Sequence, residues 1–298
     1  MTPAGRFAPS PSGVLHVGNL RTAILAWLFA RSTGRRFLMR VEDLDRARSG
    51  AEAEQLRDLV AVGVDWDGGV VRQTDREHLY TAAIERLAEE GLTYECFCTR
   101  REIQEAPSAP HAPQGAYPGT CRNLTEAQRA SKRAVRPAAV RLRAGVSEAS
   151  VQDVLHGSFT GVVDDFVLRR NDGVTAYNLA VVVDDAAQGI DQVVRGDDLL
   201  PSTPRQAYLA SLLNIPVPEY AHVPLVLNAA GARLAKRDGA VTLADLAAEG
   251  VTADEVRDAL LESLGLPAGP LVQALNEFDP AVLPREPWVW PGMGGPGA

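Results

Sequence analysis

Three residues near the start of the chain, His16, Gly18 and Asn19, have types and spacing suited to nucleotide chemistry. They end the run 6–19 (RFAPSPSGVLHVGN), which predicts a short buried strand, a tight turn and a step into a helix over about 20–33. The N-terminus of a helix attracts anions because its first backbone N–H groups lack partners, and Gly18 has no Cβ to keep a flat ring away. With His16 able to donate a hydrogen bond to a phosphoryl group, the run indicates a nucleotide site, although a plain surface loop uses the same residue types.

Two charged residues follow apolar runs that predict buried strands. Glu42 comes directly after residues 37–41, and Arg195 stands at the end of another such run. In an open parallel sheet, ligands bind beyond the carboxyl ends of the strands, so Glu42 is placed to meet an ammonium group and Arg195 to hold a carboxylate with two hydrogen bonds. The alternatives are an acidic surface cluster around Glu42 and an ion pair of Arg195 with Asp184 or Asp185.

All three cysteines bracket one loop. Cys96 and Cys98 precede the proline-rich stretch 106–117, and Cys121 follows it. A Cys-x-Cys turn directs two sulfurs at one centre, and zinc prefers four ligands in structural sites, so three thiolates leave one position to fill. Zinc chemistry alone would nominate His111 within the loop, and buried apolar cysteines are the alternative to a metal site.

The composition is that of a globular protein. The 298 residues are 46% apolar and 23% charged, with a formal net charge of −8, and include no run of eighteen apolar residues. We therefore expect no membrane span, and the lack of an apolar signal segment together with only three cysteines predicts a location in the reducing cytoplasm. The negative charge argues against indiscriminate nucleic-acid binding. A local basic cluster, which is either a solvated face or an RNA contact, consists of Arg122, Arg129, Lys132, Arg133, Arg136, Arg141 and Arg143.

The elements that must position these residues alternate between strand and helix. This order predicts an α/β fold of Rossmann type, a doubly wound parallel sheet, with an inserted subdomain around the cysteines and a small helical C-terminal part. The predicted divisions are residues 1–92 and 151–237 for the two halves of the sheet domain, 93–150 for the zinc-bearing insertion, 238–283 for the C-terminal helices and 284–298 for a flexible tail.

Several blocks of the chain resemble, in order, the glutamyl/glutaminyl branch of the class I aminoacyl-tRNA synthetases. Residues 6–13 (RFAPSPSG) resemble the segment before the first signature motif of that family, and residues 40–45 (RVEDLD) follow its pattern. Residues 231–237 (GARLAKR) resemble the second signature, Lys-(Met/Leu)-Ser-Lys-Ser, with an arginine and an alanine at the first lysine and first serine and with Lys236 retained. The resemblance implies a Rossmann-type catalytic domain that activates glutamate with ATP.

The resemblance also implies which residues bind glutamate. Arg6 and Arg195 would bind its carboxylates, and Glu42 would bind its ammonium group. Tyr177 would donate its hydroxyl within the same pocket, although a core tyrosine is the alternative. The backbone and side chains that line this pocket would be those of Phe7, Ala8, Pro9 and Ser10.

ATP would be seated by His16, Gly18, Asn19 and Lys236, of which His16 and Lys236 would be the catalytic residues. A lysine at the phosphates stabilises the charge that develops during adenylyl transfer. Mg²⁺ would accompany ATP, held largely by phosphate oxygens and water.

A shortened subgroup of the family carries Cys-x-Cys followed by Tyr-x-x-x-Cys as its zinc site. Here this spacing corresponds to Cys96, Cys98, Tyr117 and Cys121, and it implies one structural zinc ion. Such enzymes form glutamyl-adenylate and place glutamate on the queuosine base in the anticodon of tRNA(Asp), and we expect a monomer. The alternatives are a trimmed synthetase that charges the 3′ end of a tRNA and a non-catalytic RNA-binding or regulatory relative.

Overall fold

The computed structural model describes residues 2–105, 117–234 and 241–293. Strands and helices alternate along these ranges, as the apolar periods predict. The strands of the described ranges are β1 (Ala4–Phe7), β2 (Arg36–Val41), β3 (Val71–Arg72), β4 (Thr93–Cys96), β5 (Ala139–Leu142), β6 (Glu148–Asp153), β7 (Gly157–Val162), β8 (Val167–Arg169), β9 (Ile190–Gly196), β10 (Glu219–Val223), β11 (Val226–Leu227) and β12 (Trp288–Val289).

A seven-stranded sheet forms the centre of the fold, in the order β3-β2-β1-β9-β10-β6-β7. Its first six strands are mutually parallel, and only β7, which forms a hairpin with β6, is antiparallel. β1 lies between β2 and β9, so Phe7 pairs with Met39 and Gly5 with Gln192. The predicted α/β fold with a parallel sheet is therefore confirmed, and parallel order brings the carboxyl ends of β1, β2 and β9 to one edge.

The first helix has more buried residues than any other helix of the described ranges. Helix α1 (Val17–Ser32) has twelve buried residues and packs so closely on β1 that a Cβ on Gly5 would come within 2.9 Å of the Ala30 side chain. The C-terminal helices cover the other side of α1 in the same hydrophobic core. The remaining α-helices are α2 (Ala51–Ala61), α3 (Glu77–Glu89), α4 (Arg100–Glu105), α5 (Glu126–Arg133), α6 (Tyr177–Gln188), α7 (Thr203–Leu212), α8 (Leu243–Ala248), α9 (Ala253–Glu262) and α10 (Leu271–Glu277).

A second, antiparallel sheet of three strands, β4-β5-β8, carries the cysteine region. Its third strand, Val167–Arg169, comes from the segment assigned to the second half of the main domain. The predicted limit at residue 150 falls inside β6, which pairs with β10 in the main sheet. The chain thus crosses between the two sheets more often than a single insertion over 93–150 allows.

The described part of the predicted flexible tail, residues 284–293, packs on the fold. β12 pairs in parallel with β11, and Trp290 is buried in the main core. Trp288 stacks edge-on against Trp290, and the guanidinium of the buried Arg21 lies 5.8 Å from the Trp288 ring centre. The expectation of flexibility is wrong for these residues because two tryptophans bury large apolar surfaces there; residues 294–298 lie outside the described ranges.

None of the helices found in the described ranges has the length and apolar character needed to cross a membrane.

Candidate functional site

The carboxyl ends of β1, β2 and β9 open into one cleft of about 560 Å³. Its walls come from the turn after β1, the start of α1, the end of β2 and the end of β9. Lys236 lies outside the described residues. Every other candidate for glutamate or ATP lines this cleft: Arg6, Phe7, Ala8, Pro9, Ser10, His16, Gly18, Asn19, Glu42, Tyr177 and Arg195.

Arg195, at the end of β9, is held by neutral groups. Its Nε donates to Nε2 of His222 at 3.0 Å. Its Nη2 donates to Thr203 Oγ1 at 2.9 Å and to Gln206 Oε1 at 2.7 Å. Its Nη1 lies 3.3 Å from the Tyr177 hydroxyl, which is the contact nearest the cleft. The guanidinium is therefore fixed on two sides while its charge stays uncompensated.

No acidic side chain of the described residues forms an ion pair with Arg195, although only 5% of its surface is exposed. The alternative that Asp184 or Asp185 neutralises Arg195 is wrong, because those aspartates pair with other arginines. A buried charge without a partner is unfavourable. Arg195 therefore offers a binding position for a carboxylate that a ligand brings.

Arg6 and Glu42 belong to a buried ion network with Arg40 and Asp185. Arg40, which is fully buried, donates to Asp185 Oδ1 at 2.7 Å and lies 3.3 Å from Glu42 Oε1. Arg6 Nε lies 3.4 Å from the same Asp185 oxygen. Burial raises the pKa of Glu42 above its usual range, although Arg40 and Arg6 act against this shift. The network places one cation and one carboxylate side by side at the cleft.

Asp184 also belongs to this ion network, since its Oδ2 lies 3.7 Å from Arg40 Nε. It accepts hydrogen bonds from Arg76 at 2.5 Å, Tyr80 at 2.8 Å and Gln73 at 2.9 Å, and it is fully buried. The network thus contains the guanidiniums of Arg6, Arg40 and Arg76 and the carboxylates of Glu42, Asp184 and Asp185. Arg195 stands beside it as the cation that no acidic side chain of the described residues contacts directly.

His16 caps the N-terminus of α1. Its Nδ1 accepts from the Asn19 backbone N–H at 3.3 Å, and Asn19 Oδ1 accepts from the His16 backbone N–H at 3.1 Å. Burial lowers the pKa of His16, and a neutral ring that accepts at Nδ1 carries its proton on Nε2. His16 is therefore a hydrogen-bond donor through Nε2, as the phosphoryl contact requires.

Fewer unpaired backbone N–H groups remain at the N-terminus of α1 than the sequence predicts. The Asn19 amide is used by the cap, and the Val17 amide donates to the Val241 carbonyl at 2.9 Å. Several unpaired N–H groups were predicted here, and the cap and the segment at 241 occupy two of them. The flat ring that lies against Gly18 is that of His16, since a Cβ on Gly18 would come within 3.0 Å of this ring.

The sulfurs of Cys96, Cys98 and Cys121 lie within 4.8 Å of one another. The Tyr117 hydroxyl oxygen lies 3.3 Å from Cys96 Sγ and 3.6 Å from Cys98 Sγ, and Cys98 Sγ lies 3.5 Å from Cys121 Sγ. Tetrahedral zinc with bonds of about 2.3 Å separates its sulfur ligands by roughly 3.8 Å. The cluster could therefore bind one metal ion, and His111 lies outside the described residues.

The surroundings act in opposite directions on the members of the cluster: burial raises the pKa of Cys98 to about 11 and raises the pKa of Tyr117 above its usual range, whereas the anion of Cys121 is favoured. The Tyr117 oxygen accepts from the Cys121 amide at 2.8 Å. Burial raises the pKa of the Cys121 thiol, but the Phe97 amide and the Tyr117 hydroxyl outweigh it and lower this pKa overall. The guanidinium of the buried Arg141 lies 3.7 Å from the centre of the Tyr117 ring, where a cation stabilises a phenolate.

The basic cluster around 122–143 is largely committed to the insertion itself. Arg133 pairs with Glu95 at 2.5 Å, and Arg136 pairs with Glu102 at 3.0 Å. Arg141 is buried over Tyr117. For these three residues the contacts favour a structural role over an RNA contact.

Comparison with known proteins places the chain. Residues 4–278 match the family model described as tRNA synthetases class I (E and Q), catalytic domain. A glutamyl-Q tRNA(Asp) synthetase of Nocardia farcinica is 68% identical over 287 residues, which cover 96% of this chain and 92% of that protein. The chain belongs to this synthetase family.

Other relatives agree in sequence and in fold. A glutamyl-Q tRNA(Asp) synthetase of Cutibacterium acnes is 54% identical over 89% of this chain and 76% of that protein. A glutamate tRNA ligase of Elizabethkingia meningosepticum, solved in complex with its amino acid, superposes with a TM-score of 0.79 at 27% identity. The alignment covers 97% of this synthetase chain and 66% of that ligase.

Arg40 of the synthetase is a site residue that sequence reasoning missed. It lies on β2, two positions before Glu42, which directly follows the strand, and the period of two along an extended chain places both side chains on one face. This alternation was a usable signal. The burial of Arg40 against α6 was not predictable locally, because Asp185 lies 145 residues away.

Gln55 and His222 were missed as well. Gln55, on α2, donates to the carbonyls of Ser10 at 3.0 Å and Gly13 at 2.6 Å and so holds the turn after β1. His222, on β10, contacts Arg195 directly. Neither residue belongs to a motif, and a buried histidine or glutamine is ordinarily a structural residue, so the sequence carried no local signal for either contact.

Proposed function

We propose that this chain activates L-glutamate with ATP to form glutamyl-adenylate and transfers the glutamyl group to queuosine in the anticodon of tRNA(Asp). This assigns it to the ligases of the aminoacyl-tRNA synthetase class. The observation that carries the proposal is Arg195, a buried guanidinium without an acidic partner in the cleft that also holds Glu42 and the His16 cap.

The charges of the cleft suit glutamate. Free glutamate carries one ammonium group and two carboxylates, so its net charge near neutral pH is negative by one. Arg195 and Arg6 would bind the carboxylates, and Glu42 the ammonium group. Tyr177, with its hydroxyl at Arg195, would complete the pocket. A ligand with this charge pattern brings Arg195 the direct anionic partner that the described residues do not supply.

ATP would bind at the start of α1. The Nε2–H of His16 would donate to the phosphates, Gly18 and Asn19 would line the site, and Lys236 would stabilise the charge that develops on the phosphates. Mg²⁺ bound to the phosphate oxygens would supply further charge stabilisation. The glutamate residues and the ATP residues form the two half-sites of the cleft. The turn 8–13 lies between these half-sites and would bring the glutamate carboxylate to the α-phosphorus.

The reaction needs no covalent bond to the protein. A carboxylate oxygen of glutamate attacks the α-phosphorus, and pyrophosphate leaves with the bonding electrons. A hydroxyl of the acceptor then attacks the acyl carbon of glutamyl-adenylate, and AMP leaves as the proton of the hydroxyl is released. The protein's contribution is orientation and charge stabilisation.

A second cavity of about 950 Å³ adjoins the cleft and suits the entry of the acceptor nucleoside. The two spaces share the residues Ala8, Ser10, Glu42, Tyr177 and Leu199. Guanidiniums that could meet phosphates, those of Arg46, Arg100 and Arg170, lie around the second cavity. An acceptor there would face the acyl carbon without displacing the adenylate.

The same cavity is lined by Cys98 of the metal cluster. We infer that one structural zinc ion is bound by Cys96, Cys98, Tyr117 and Cys121. The metal would hold β4 and the segment after residue 117 together and so shape the wall of the acceptor cavity.

The test of activation is glutamate-dependent exchange of pyrophosphate into ATP without any tRNA. We expect exchange by the wild type and a loss of at least about hundredfold in His16→Ala or Lys236→Ala, because each removes a group at the phosphates. Retained circular dichroism would show that the variants are folded. No exchange by the wild type would favour the non-catalytic alternative, and exchange only with tRNA would favour the trimmed synthetase.

The test of the acceptor uses tRNA(Asp) with and without queuosine. We expect labelled glutamate to be transferred only to the modified tRNA, and mass analysis should find it on the anticodon nucleoside. Product on unmodified tRNA, or label lost when the 3′-terminal nucleotide has been removed enzymatically beforehand, would overturn the queuosine assignment.

A further inference from the structure

We infer that His222 and Asp153 are positioning residues that hold Arg195 in place without neutralising it. The inference rests on the proposed role of Arg195 in binding a glutamate carboxylate. Asp153 ends β6, His222 lies on β10 and Arg195 lies on β9, three neighbouring strands of the main sheet. All three side chains are buried.

The hydrogen bonds define one protonation state of His222. The Nε of Arg195 can only donate, so Nε2 of His222, at 3.0 Å, must accept. The ring proton is then on Nδ1, which lies 2.6 Å from Asp153 Oδ2. Thr203 Oγ1 lies 3.0 Å from the same Nε2 and can donate to it. A protonated ring would place a second N–H against the guanidinium.

The hydrogen bonds of Asp153 favour the neutral His222 ring with its proton on Nδ1. Its carboxylate also accepts from the backbone N–H groups of His222, Leu155 and His156 at 3.1, 2.9 and 3.0 Å. These donors keep the carboxylate ionised and fixed, so it orients the imidazole rather than competing for Arg195. The other titratable groups near His222 are His156, whose Nε2 is 3.0 Å from the His222 carbonyl, and Tyr220, which stacks on the ring.

As a partner of Arg195, a neutral imidazole has an advantage over a carboxylate. A carboxylate placed directly on Arg195 would fix the guanidinium but would also compensate its charge, and a substrate carboxylate would then compete with it. The imidazole accepts a hydrogen bond from Arg195 without adding a negative charge. It also separates the Asp153 carboxylate from the guanidinium by the width of one ring. Arg195 is thus oriented with its charge available at Nη1.

The protonation state can be tested without any substrate. In the full chain with ¹⁵N-labelled histidine, the His222 signals, identified by their loss in His222→Asn, should be those of a neutral ring protonated at Nδ1 at pH 7. A ring protonated at Nε2, or an imidazolium, would overturn the inference whatever the enzyme's substrate.

The kinetic test compares His222→Asn with His222→Gln. Asparagine can reach Asp153 but not Arg195, whereas the glutamine carbonyl can replace Nε2 as the acceptor. We expect the KM for glutamate in pyrophosphate exchange to rise about tenfold or more in His222→Asn, with the KM for ATP unchanged and partial recovery in His222→Gln. Equal effects on both KM values, or no rescue, would indicate a merely structural residue and overturn the inference.

Arg195→Lys separates this inference from the proposed function. If Arg195→Lys raises the KM for glutamate and His222→Asn does not, positioning by His222 is wrong while the proposed function stands. If Arg195→Lys leaves the KM for glutamate unchanged, the proposed role of Arg195 fails and the positioning role falls with it.

Discussion

At the scale of single residues, the charged side chains at the cleft differ in how their charges are compensated. Arg40 has Asp185 and Glu42 as partners, and Arg6 shares Asp185. Among the described residues, Arg195 has only neutral partners. The residues with paired charges fix the structure of the site, whereas the guanidinium of Arg195 is available to a ligand.

Glu42→Gln should raise the KM for glutamate about tenfold or more, because it removes the carboxylate that would bind the ammonium group. In the wild type, burial raises the pKa of Glu42, so the side chain loses its charge at a higher pH than an exposed glutamate does. The KM for glutamate should therefore rise as the pH falls through this raised pKa. The measurement is pyrophosphate exchange between pH 5 and 8; the same pH dependence in Glu42→Gln would contradict the assignment.

Arg40→Met should lower the free energy of unfolding by about 3–5 kcal/mol, because it leaves Asp185 buried without its nearest guanidinium. Urea denaturation measures this change. Arg133→Met is the matched control: Arg133 also pairs with a carboxylate, at 2.5 Å, but it is 45% exposed, and exposed pairs contribute little to stability. Similar losses in the two variants would contradict the account of the network.

At the scale of elements, each half-site is held by a part of the chain distant in sequence. Gln55 on α2 holds the turn after β1, and α6 supplies the carboxylates beneath Arg6 and Arg40. The small sheet β4-β5-β8 carries the cysteine cluster to the edge of the second cavity. The turn after β1 is therefore held in place by another element, because Gln55 binds two of its carbonyls.

Purified wild-type protein should contain about one zinc ion per chain, measured by atomic absorption. Cys121→Ser should lose most of it, since only two thiolates and Tyr117 remain. Tyr117→Phe should bind zinc more weakly, because the phenolic oxygen is removed while the ring over which Arg141 lies is kept. Full zinc content in Cys121→Ser would remove the metal site, and full affinity in Tyr117→Phe would remove Tyr117 as a ligand.

At the scale of the whole molecule, the C-terminal residues complete the core under the active site. β12 adds to β11, which leads into the segment of the second signature. Trp290 is buried among the side chains that cover α1. The catalytic sheet and the C-terminal part thus form one hydrophobic core.

Trp290→Ala should lower the free energy of unfolding by about 3–5 kcal/mol, as is usual for a buried tryptophan in a core. Val289→Ala is the control from the same strand, because Val289 is 48% exposed and its loss should change stability by no more than about 0.5 kcal/mol. Thermal and urea unfolding measure both. A stability change as small in Trp290→Ala as in Val289→Ala would show that the tail does not complete the core.

The sequence by itself determined the fold class and the list of candidate residues. Alternating apolar periods require strands and helices in a fixed order, and a parallel sheet follows from strands that are joined through helices. The motifs in residues 6–19 and 231–237 and the cysteine spacing depend only on local order along the chain, which a sequence carries in full. Hence His16, Glu42 and Arg195 could be named as candidates before any contact was known.

Only the tertiary structure decided which partner each charge has. Whether Arg195 meets an aspartate or an imidazole depends on how β6, β9 and β10 pair, and Asp153 and His222 are 69 residues apart. The packing of the tail likewise depends on distant neighbours, because β12 pairs with β11 and Trp290 enters the core around α1. Burial and compensation of charge are properties of such distant neighbours, so they could not be predicted from local sequence, and they give Arg195 an imidazole rather than a carboxylate as its neighbour among the described residues.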